Sequence, residues 1–290
     1  MTIPSLRAQA AMHLAIFLFG GVAVLAQALP QNPLMLVFWR SLFAALSVAA
    51  LLRWQGQPLW QSATPRRWLS GVLLAVHWLL FFAALKAAPL AYGLLGFASF
   101  PLFVAALEPY FFNERRHGRD ALAAVAVVAG MVLMVWPDSA TGQFDSSALL
   151  GLLLGIGAGG SFALLIMLNR ANSRDLSAIR LTFLQNAGAA ACLLPLVLLD
   201  HSPATPSWAA WGGVVLLGVV LTALPQSLLM FSLQSLSTRF VSLMSTLEPV
   251  YGIALAWAWL GQRPTAQMLA GAGVILAATT VVTLWHSPHV

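Results

Sequence analysis

Apolar residues run along this chain in blocks of about twenty, broken by short polar stretches rich in Pro, Gly, Asn, Asp, Ser and Arg. Ten blocks stand out, at 9–29, 33–52, 68–86, 90–112, 120–137, 148–168, 177–199, 208–230, 238–260 and 266–286. As a helix, a block of this length spans a hydrocarbon core of about 30 Å. The breaks carry turn chemistry: LPQNP at 29–33, RWQGQPLWQSATPRR at 53–67, NERRHGRD at 113–120, PDSATGQFDSS at 137–147 and DHSPATPS at 200–207. Lipid offers no partner to exposed backbone groups, so a spanning segment must satisfy them itself, as a helix does. The other solution, a closed β-barrel, needs period-2 alternation over ten-residue strands, and the blocks lack it. The pattern predicts an all-α integral membrane protein with ten transmembrane helices.

Composition agrees. Of 290 residues, 60% are hydrophobic and 8% charged, against roughly 25% charged in a soluble domain. The net charge of +6 does not point to nucleic acid, because the basic residues are scattered between apolar blocks and no RNA- or DNA-binding motif accompanies them. One cysteine, Cys192, rules out an intramolecular disulfide and a cysteine metal cluster. In AACLLPLVLL it reads as a small core residue. Arg7, the apolar run from Ala10 and Ala26-Gln27-Ala28 mimic a secretory leader. The near-full membrane length of that run predicts a retained first helix instead.

Orientation follows from Lys and Arg. With the N-terminus inside, Arg7, Arg53, Arg66, Arg67, Arg115, Arg116, Arg119, Arg170, Arg174 and Arg239 fall at cytoplasmic ends. Lys86 and Arg263 fall at outer ends, and Arg40 and Arg180 lie inside segments. This predicts N-in, C-in topology in a cell inner membrane. Trp54, Trp60, Trp68, Trp136, Trp208, Trp211 and Trp285 sit near block ends, as interfacial anchors do.

The chain contains a second pattern of longer period. PLFVAALEPYFFNERR (101–116) overlies PVYGIALAWAWLGQRP (249–264), with Pro101 on Pro249 and Arg115 on Arg263 at one offset of 148 residues. FAALKAAPLAYGLLGFASFPLF (82–103) likewise overlies FSLQSLSTRFVSLMSTLEPVY (231–251). Two units follow, 1–142 and 143–290. Each has five helices, an odd number, so the second is inserted upside down. Its charged exit then lies outside, where positive-inside pressure does not act. Such inverted repeats mark secondary transporters, with the site near the midplane between the repeats.

The segments FASFPLFVAALEPYFFNERR and STLEPVYGIALAWAWLGQRPT resemble the EamA-type branch of the drug/metabolite transporter superfamily. The shared pattern is a small, Ser-rich turn, a proline, an aromatic two residues on, and a Gly/Asn-Glu/Gln-Arg exit. Gln262 departs from it, standing where the family usually has Glu. The resemblance implies export or exchange of small metabolites, commonly amino acids or amines.

Ionisable groups inside a membrane are functional candidates by default. Glu248 lies about 15 Å into its helix at 1.5 Å per residue, near the midplane. It is followed by Pro249, which removes a backbone donor. It contacts substrate, or it is a structural carboxylate paired with Arg40 or His77. His77 lies at similar depth and has as many readings: a carboxylate binder, a titrating group, a partner of Glu248, or a buried structural histidine. Trp78 and Phe81 share overlapping helix faces with it and form an aromatic wall, or they merely pack. Arg40 attracts a substrate carboxylate, pairs with Glu248 to hold the halves together, or snorkels outward. Glu108 and Glu114 are expected to pair at the surface with Arg115, Arg116 or Arg119. A second polar ring comprises Tyr92, Ser99, Gln185, Asn186, Gln226 and Tyr251, with interhelical hydrogen bonding as the competing role. Pro101 and Pro249 are the expected kinks.

GIGAGG at 155–160 matches a dinucleotide fingerprint, but it sits inside an apolar block without a preceding strand. Gly151, Gly155 and Gly159 read instead as a close-packing helix face. No Walker, G-x-S-x-G or HExxH motif is present. The expected function is therefore secondary transport of a small molecule within a lipid bilayer, with no cofactor and no metal. A channel-like facilitator is the alternative, then a sensor or intramembrane enzyme. Helices five and ten offer a face for a homodimer.

Overall fold

A computed structural model describes residues 3–60, 64–88, 93, 96–97, 99–112, 118–135, 146–200, 208–261 and 263–286. Tyr92, Glu114, Arg115, Arg116, Trp136 and Gln262 lie outside the described residues, as do the side chains of Arg119, Pro249 and Trp285. Helices α1 (Ile3–Ala28), α2 (Pro33–Trp54), α3 (Pro65–Ala87), α4 (Phe100–Phe112) and α5 (Gly118–Val135) come from the first half of the chain. The second half supplies α6 (Ser146–Asn172), α7 (Ala178–Leu199), α8 (Trp208–Gly218), a π-helical turn (Val219–Ala223) running directly into α9 (Leu224–Leu233), α10 (Thr238–Ser245), α11 (Glu248–Leu260) and α12 (Ala266–His286). Among the described residues, seven helical stretches are long and apolar enough to cross a membrane, and three shorter apolar helices, Phe100–Phe112, Ala121–Leu133 and Ala266–Ala278, accompany them. Among the described residues there is no strand. The fold is that of an all-helical, multi-pass membrane protein.

Local chemistry places the helix ends. Asn32 caps α2 by accepting from Met35 N at 2.8 Å, with Pro33 in the first turn. Ser237 caps α10 in the same way, accepting from Phe240 N at 3.2 Å. Pro is tolerated at the start of α2 because a first-turn N–H has no helical partner. Gly56, just past α2, takes φ +67°, a left-handed geometry that favours glycine at a helix exit.

The packing is cross-braced between halves. Helix α3 lies against α6 and α7, while the α8–α9 rod lies against α1 and α2. Helix α4 meets α6, and α11 meets α1; α2 pairs with α7, and α5 with α12. The glycine face on α6 is what allows one of these contacts. A Cβ on Gly155 would come within 3.0 Å of Gly96 Cα and Phe97 N, and one on Gly159 would press on Phe97 O and Phe100 N. Backbone therefore touches backbone, as small residues permit.

Two residues sit elsewhere than expected. Cys192 is exposed rather than buried, on a helix stretch whose Leu194, Leu196, Leu198 and Leu199 are exposed as well. In a bilayer that face is apolar-solvated, and nothing drives a cysteine inward. Arg180 belongs to the first turn of α7 and reaches sideways to Gln57 Oε1 at 3.1 Å, so it joins the arginine-rich end instead of lying mid-segment. Helices five and ten, the expected dimer face, here pack on each other as α5 and α12 within one chain. Leu122 and Val125 on one and Leu269 and Leu276 on the other remain exposed.

Candidate functional site

Arg40 is completely buried, so it does not snorkel. The reason is a set of partners on neighbouring elements. Its Nε and Nη2 donate to Thr222 Oγ1 at 3.0 and 2.8 Å. Its guanidinium carbon stands 3.7 Å from the centroid of the Trp78 ring and 5.4 Å from that of Phe82. A desolvated cation–π contact stabilises by about 2 kcal/mol, which offsets part of the burial cost. Thr222 lies in the π turn and donates its hydroxyl to Leu217 O, five residues back, at 2.6 Å. Such π turns interrupt α-helices frequently at functional sites. The wider turn gives Arg40 a hydroxyl whose proton is already committed elsewhere.

One donor group of Arg40 is unused: Nη1 is buried without a hydrogen-bond partner. Glu248 acts on Arg40 electrostatically, yet no ion pair within 4.0 Å joins them. Glu248 opens α11 after a turn at Thr246 and Leu247. Gly20 on α1 has no side chain, so α1 approaches Glu248 O, Tyr251 Cβ and Gly252 N; an added Cβ would lie within 3.2 Å of each. Tyr251 Oη and His13 Nδ1 are 3.4 Å apart, and Phe17 meets the Tyr251 ring edge-on at 5.7 Å. Glu248 and Tyr251 both remain partly accessible.

His77 takes a different position. Its Nδ1 is 3.0 Å from Ala158 O on α6. Its ring stacks on Phe162 at 4.7 Å and lies near Trp78, Phe81 and Phe97. Among the described residues no hydrogen bond or ion pair connects it to Glu248. Phe81 is buried edge-on to Trp78 at 5.7 Å. Together these rings brace the Trp78 indole, whose face carries Arg40.

Gln185 and Gln226 form a buried amide chain. Asn186 Nδ2 donates to Gln226 Oε1 at 2.7 Å, Gln226 Nε2 to Gln185 Oε1 at 2.6 Å, and Gln185 Nε2 to Asn169 Oδ1. Of the expected polar ring, Gln185, Asn186 and Gln226 meet on α7 and α9 and reach Asn169 on α6 as interhelical hydrogen bonding, whereas Ser99 donates locally to Gly96 O at 2.6 Å and Tyr251 stands beside His13. Tyr92 lies outside the described residues. Pro101 and Pro249 occupy the second positions of α4 and α11, each just after a turn. They mark where those helices restart after a turn.

Sequence reasoning missed Thr222, Asn169, Phe97 and Phe162. Thr222 has one signal, its place three residues before Pro225 in a helix already holding a polar position. The surface pairing expected of Glu108 is overturned. Glu108 is fully buried and is held by Arg170, Arg239 and Thr238 of the second half. At the end of α4 it faces the bundle, and burial forces it onto the nearest cations.

The EamA-like transporter family matches residues 6–136 and again 149–284. An uncharacterized transporter of Archaeoglobus fulgidus is 27% identical over 278 residues, covering 94% of this chain and 95% of its own. The pseudopaline exporter CntI of Pseudomonas aeruginosa is 27% identical over 245 residues, covering 84% and 83%. A crystal structure superposes with a TM-score of 0.83 at 19% identity over 96% of both chains, a likeness of fold. A family match over two segments that together take in most of the chain places this protein in the EamA-like transporter family.

Proposed function

We propose that this chain is a secondary transporter, an exporter or exchanger of small metabolites, foremost amino acids or related amines and carboxylates, working by alternating access through a central midplane cavity. The observation that carries the reading is the pair formed by Arg40 and Glu248. A buried guanidinium keeps one donor group unfilled, and an acidic side chain nearby is left without an ion pair among the described residues. A small molecule with a carboxylate and an ammonium satisfies both. In this reading Trp78 and Tyr251 offer ring faces to the substrate, His77 and Phe81 brace Trp78, and Gln185 and Gln226 add amide groups. The CntI relative is named as an exporter, which favours export.

The same reading takes the ten apolar blocks as ten spans in an inner membrane, N-in and C-in, arranged as inverted units 1–142 and 143–290. Support comes from the paired packing of α3 on α6 against α9 on α1, which is what a two-fold relation between halves produces. A homodimer would use the outward faces of α5 and α12.

Counterflow in proteoliposomes tests the proposal. Vesicles preloaded with amino acids, amines or small carboxylates are expected to exchange one class saturably. Glu248→Gln is expected to abolish that exchange. Wild-type exchange by Glu248→Gln removes the site from this reading. Unsaturable flux favours the channel-like alternative.

A further inference from the structure

Glu108 ends the first half's contribution to a buried ionic cluster. Its Oε1 accepts from Arg170 Nη1 at 2.9 Å and from Thr238 Oγ1, and its Oε2 accepts from Arg239 Nε. Glu108 sits near the C-terminus of α4, Arg170 near the C-terminus of α6, and Thr238 and Arg239 open α10. The carboxylate therefore comes from one half, and all three named partners come from the other. Phe112, one turn on from Glu108, lies under Arg170 at 4.4 Å and under Arg174 at 5.7 Å. The cluster is at the end of the bundle that carries Arg53, Arg66, Arg67, Arg170, Arg174 and Arg239.

Three features separate this from a static staple. Glu108 and Thr238 have no accessible surface, whereas Glu248 and Tyr251 keep some; the carboxylate at the arginine-rich end is shut off from solvent. Two of the three helices carrying the cluster, α4 and α10, are short, at 13 and 8 residues, and pack on the longer α6 that brings Arg170. Each adjoins a turn, before Pro101 and at Thr246–Leu247, about which it can pivot. A buried carboxylate also tolerates loss of its cations poorly, so the cluster is made or broken as a unit.

We infer that Glu108, clasped by Arg170, Arg239 and Thr238, is the latch that holds the arginine-rich end of the transporter closed, and that opening at that end requires its release. This rests on the alternating-access reading for its meaning in transport, but the latch itself is testable without a substrate.

The test uses full-length protein in inside-out membrane vesicles. Cys192→Ser removes the native thiol, and Ser242→Cys places a reporter one turn beyond Arg239, where the native side chain is buried and its Oγ donates to Arg239 O at 2.8 Å. A membrane-impermeant maleimide reads access from the arginine-rich side. Adding Glu108→Gln is expected to raise the labelling rate about tenfold, within the usual range for a contact coupled to a two-state equilibrium. Glu108→Asp, which keeps the charge, is expected to leave labelling close to the parent's slow rate. An unchanged rate in Glu108→Gln overturns the latch, and so does an equal rise from both membrane faces, which reports general loosening. If Glu108→Gln does not yield a monodisperse protein, Thr238→Val decides. It removes the hydroxyl that donates to Glu108 and accepts from Arg170 Nη1 at 3.5 Å, keeps both ion pairs, and is expected to speed labelling by a smaller factor; no change overturns the proposal. Failure of counterflow with responsive labelling removes the transport reading and leaves the latch. Working counterflow with unresponsive labelling removes the latch alone.

Discussion

The guanidinium of Arg40 lies flat enough on Trp78 to bring its central carbon 3.7 Å from the ring centroid, while two of its nitrogens share the single hydroxyl of Thr222. This contact joins α2, α3 and the π turn. It requires a planar fork that stacks and donates at once, which lysine does not have. Arg40→Lys is expected to keep the charge and still reduce exchange by about tenfold or more, consistent with lost positioning at a site. Proteoliposome counterflow measures it. Full activity in Arg40→Lys would show that charge alone suffices.

Trp78 is the other side of that contact. Trp78→Leu removes the π face and is expected to lower stability by about 2 kcal/mol or more, from the lost cation–π contact and the space left behind. Trp78→Phe keeps a weaker face and is expected to fall between. Thermal unfolding in detergent, followed by loss of monodispersity, gives the order. Equal stability for all three side chains contradicts the assigned role.

Glu248 makes no ion pair within the described residues, so its charge contributes little to holding the fold. Glu248→Gln is expected to leave the unfolding midpoint within about 2 °C of the parent, the shift produced by roughly 0.5 kcal/mol in a protein of this size, and to lose exchange. A large drop in midpoint would reassign Glu248 as a structural carboxylate.

Gln226 is the middle link of the amide chain, accepting from Asn186 and donating to Gln185. Gln226→Leu leaves Gln185 Oε1 without its donor and Asn186 Nδ2 with Thr182 O alone. The expected loss is about 1–3 kcal/mol, the cost of a buried orphaned polar group. Denaturation in detergent checks this. A neutral result would mean that the neighbouring amides find other partners.

Gly155→Val is expected to abolish folding, because the first added carbon already meets backbone of residues 96 and 97 within 3.0 Å. Gly118→Ala is the matched control, since nothing lies within 4 Å of its added carbon. Expression and size-exclusion behaviour separate the two. Normal folding of Gly155→Val would require α6 to sit farther from residues 96 and 97.

Much of the fold is legible in the order of residues. Within the described residues several apolar blocks recur as helices, with Asn32 and Pro33 opening α2 and Ser237 opening α10 where turn chemistry puts them. Pro101 and Pro249, paired by offset, both restart a helix after a turn. Gly155 and Gly159 read as a packing face and form one. Gln185, Asn186 and Gln226 group as polar positions and meet across neighbouring helices. Cys192 departs from its expected burial because burial statistics from soluble proteins assume water outside, and here the outer face is apolar too.

The sequence by itself determined the apolar solvent of this protein and the start of helices such as α2 and α10, because block length and turn residues are local properties of the chain. Partnership was decided by tertiary structure alone. Arg40 meets Thr222 across 182 residues, and Glu108 meets Arg239 across 131. Which charge faces which depends on each helix's rotation and tilt, and a rotation of about 100° per residue carries a side chain from lipid to core within one step of sequence. For that reason the arithmetic that puts Glu248 near the midplane does not tell that Arg40 takes a threonine and a tryptophan instead, nor that Glu108 turns inward to bind the other half.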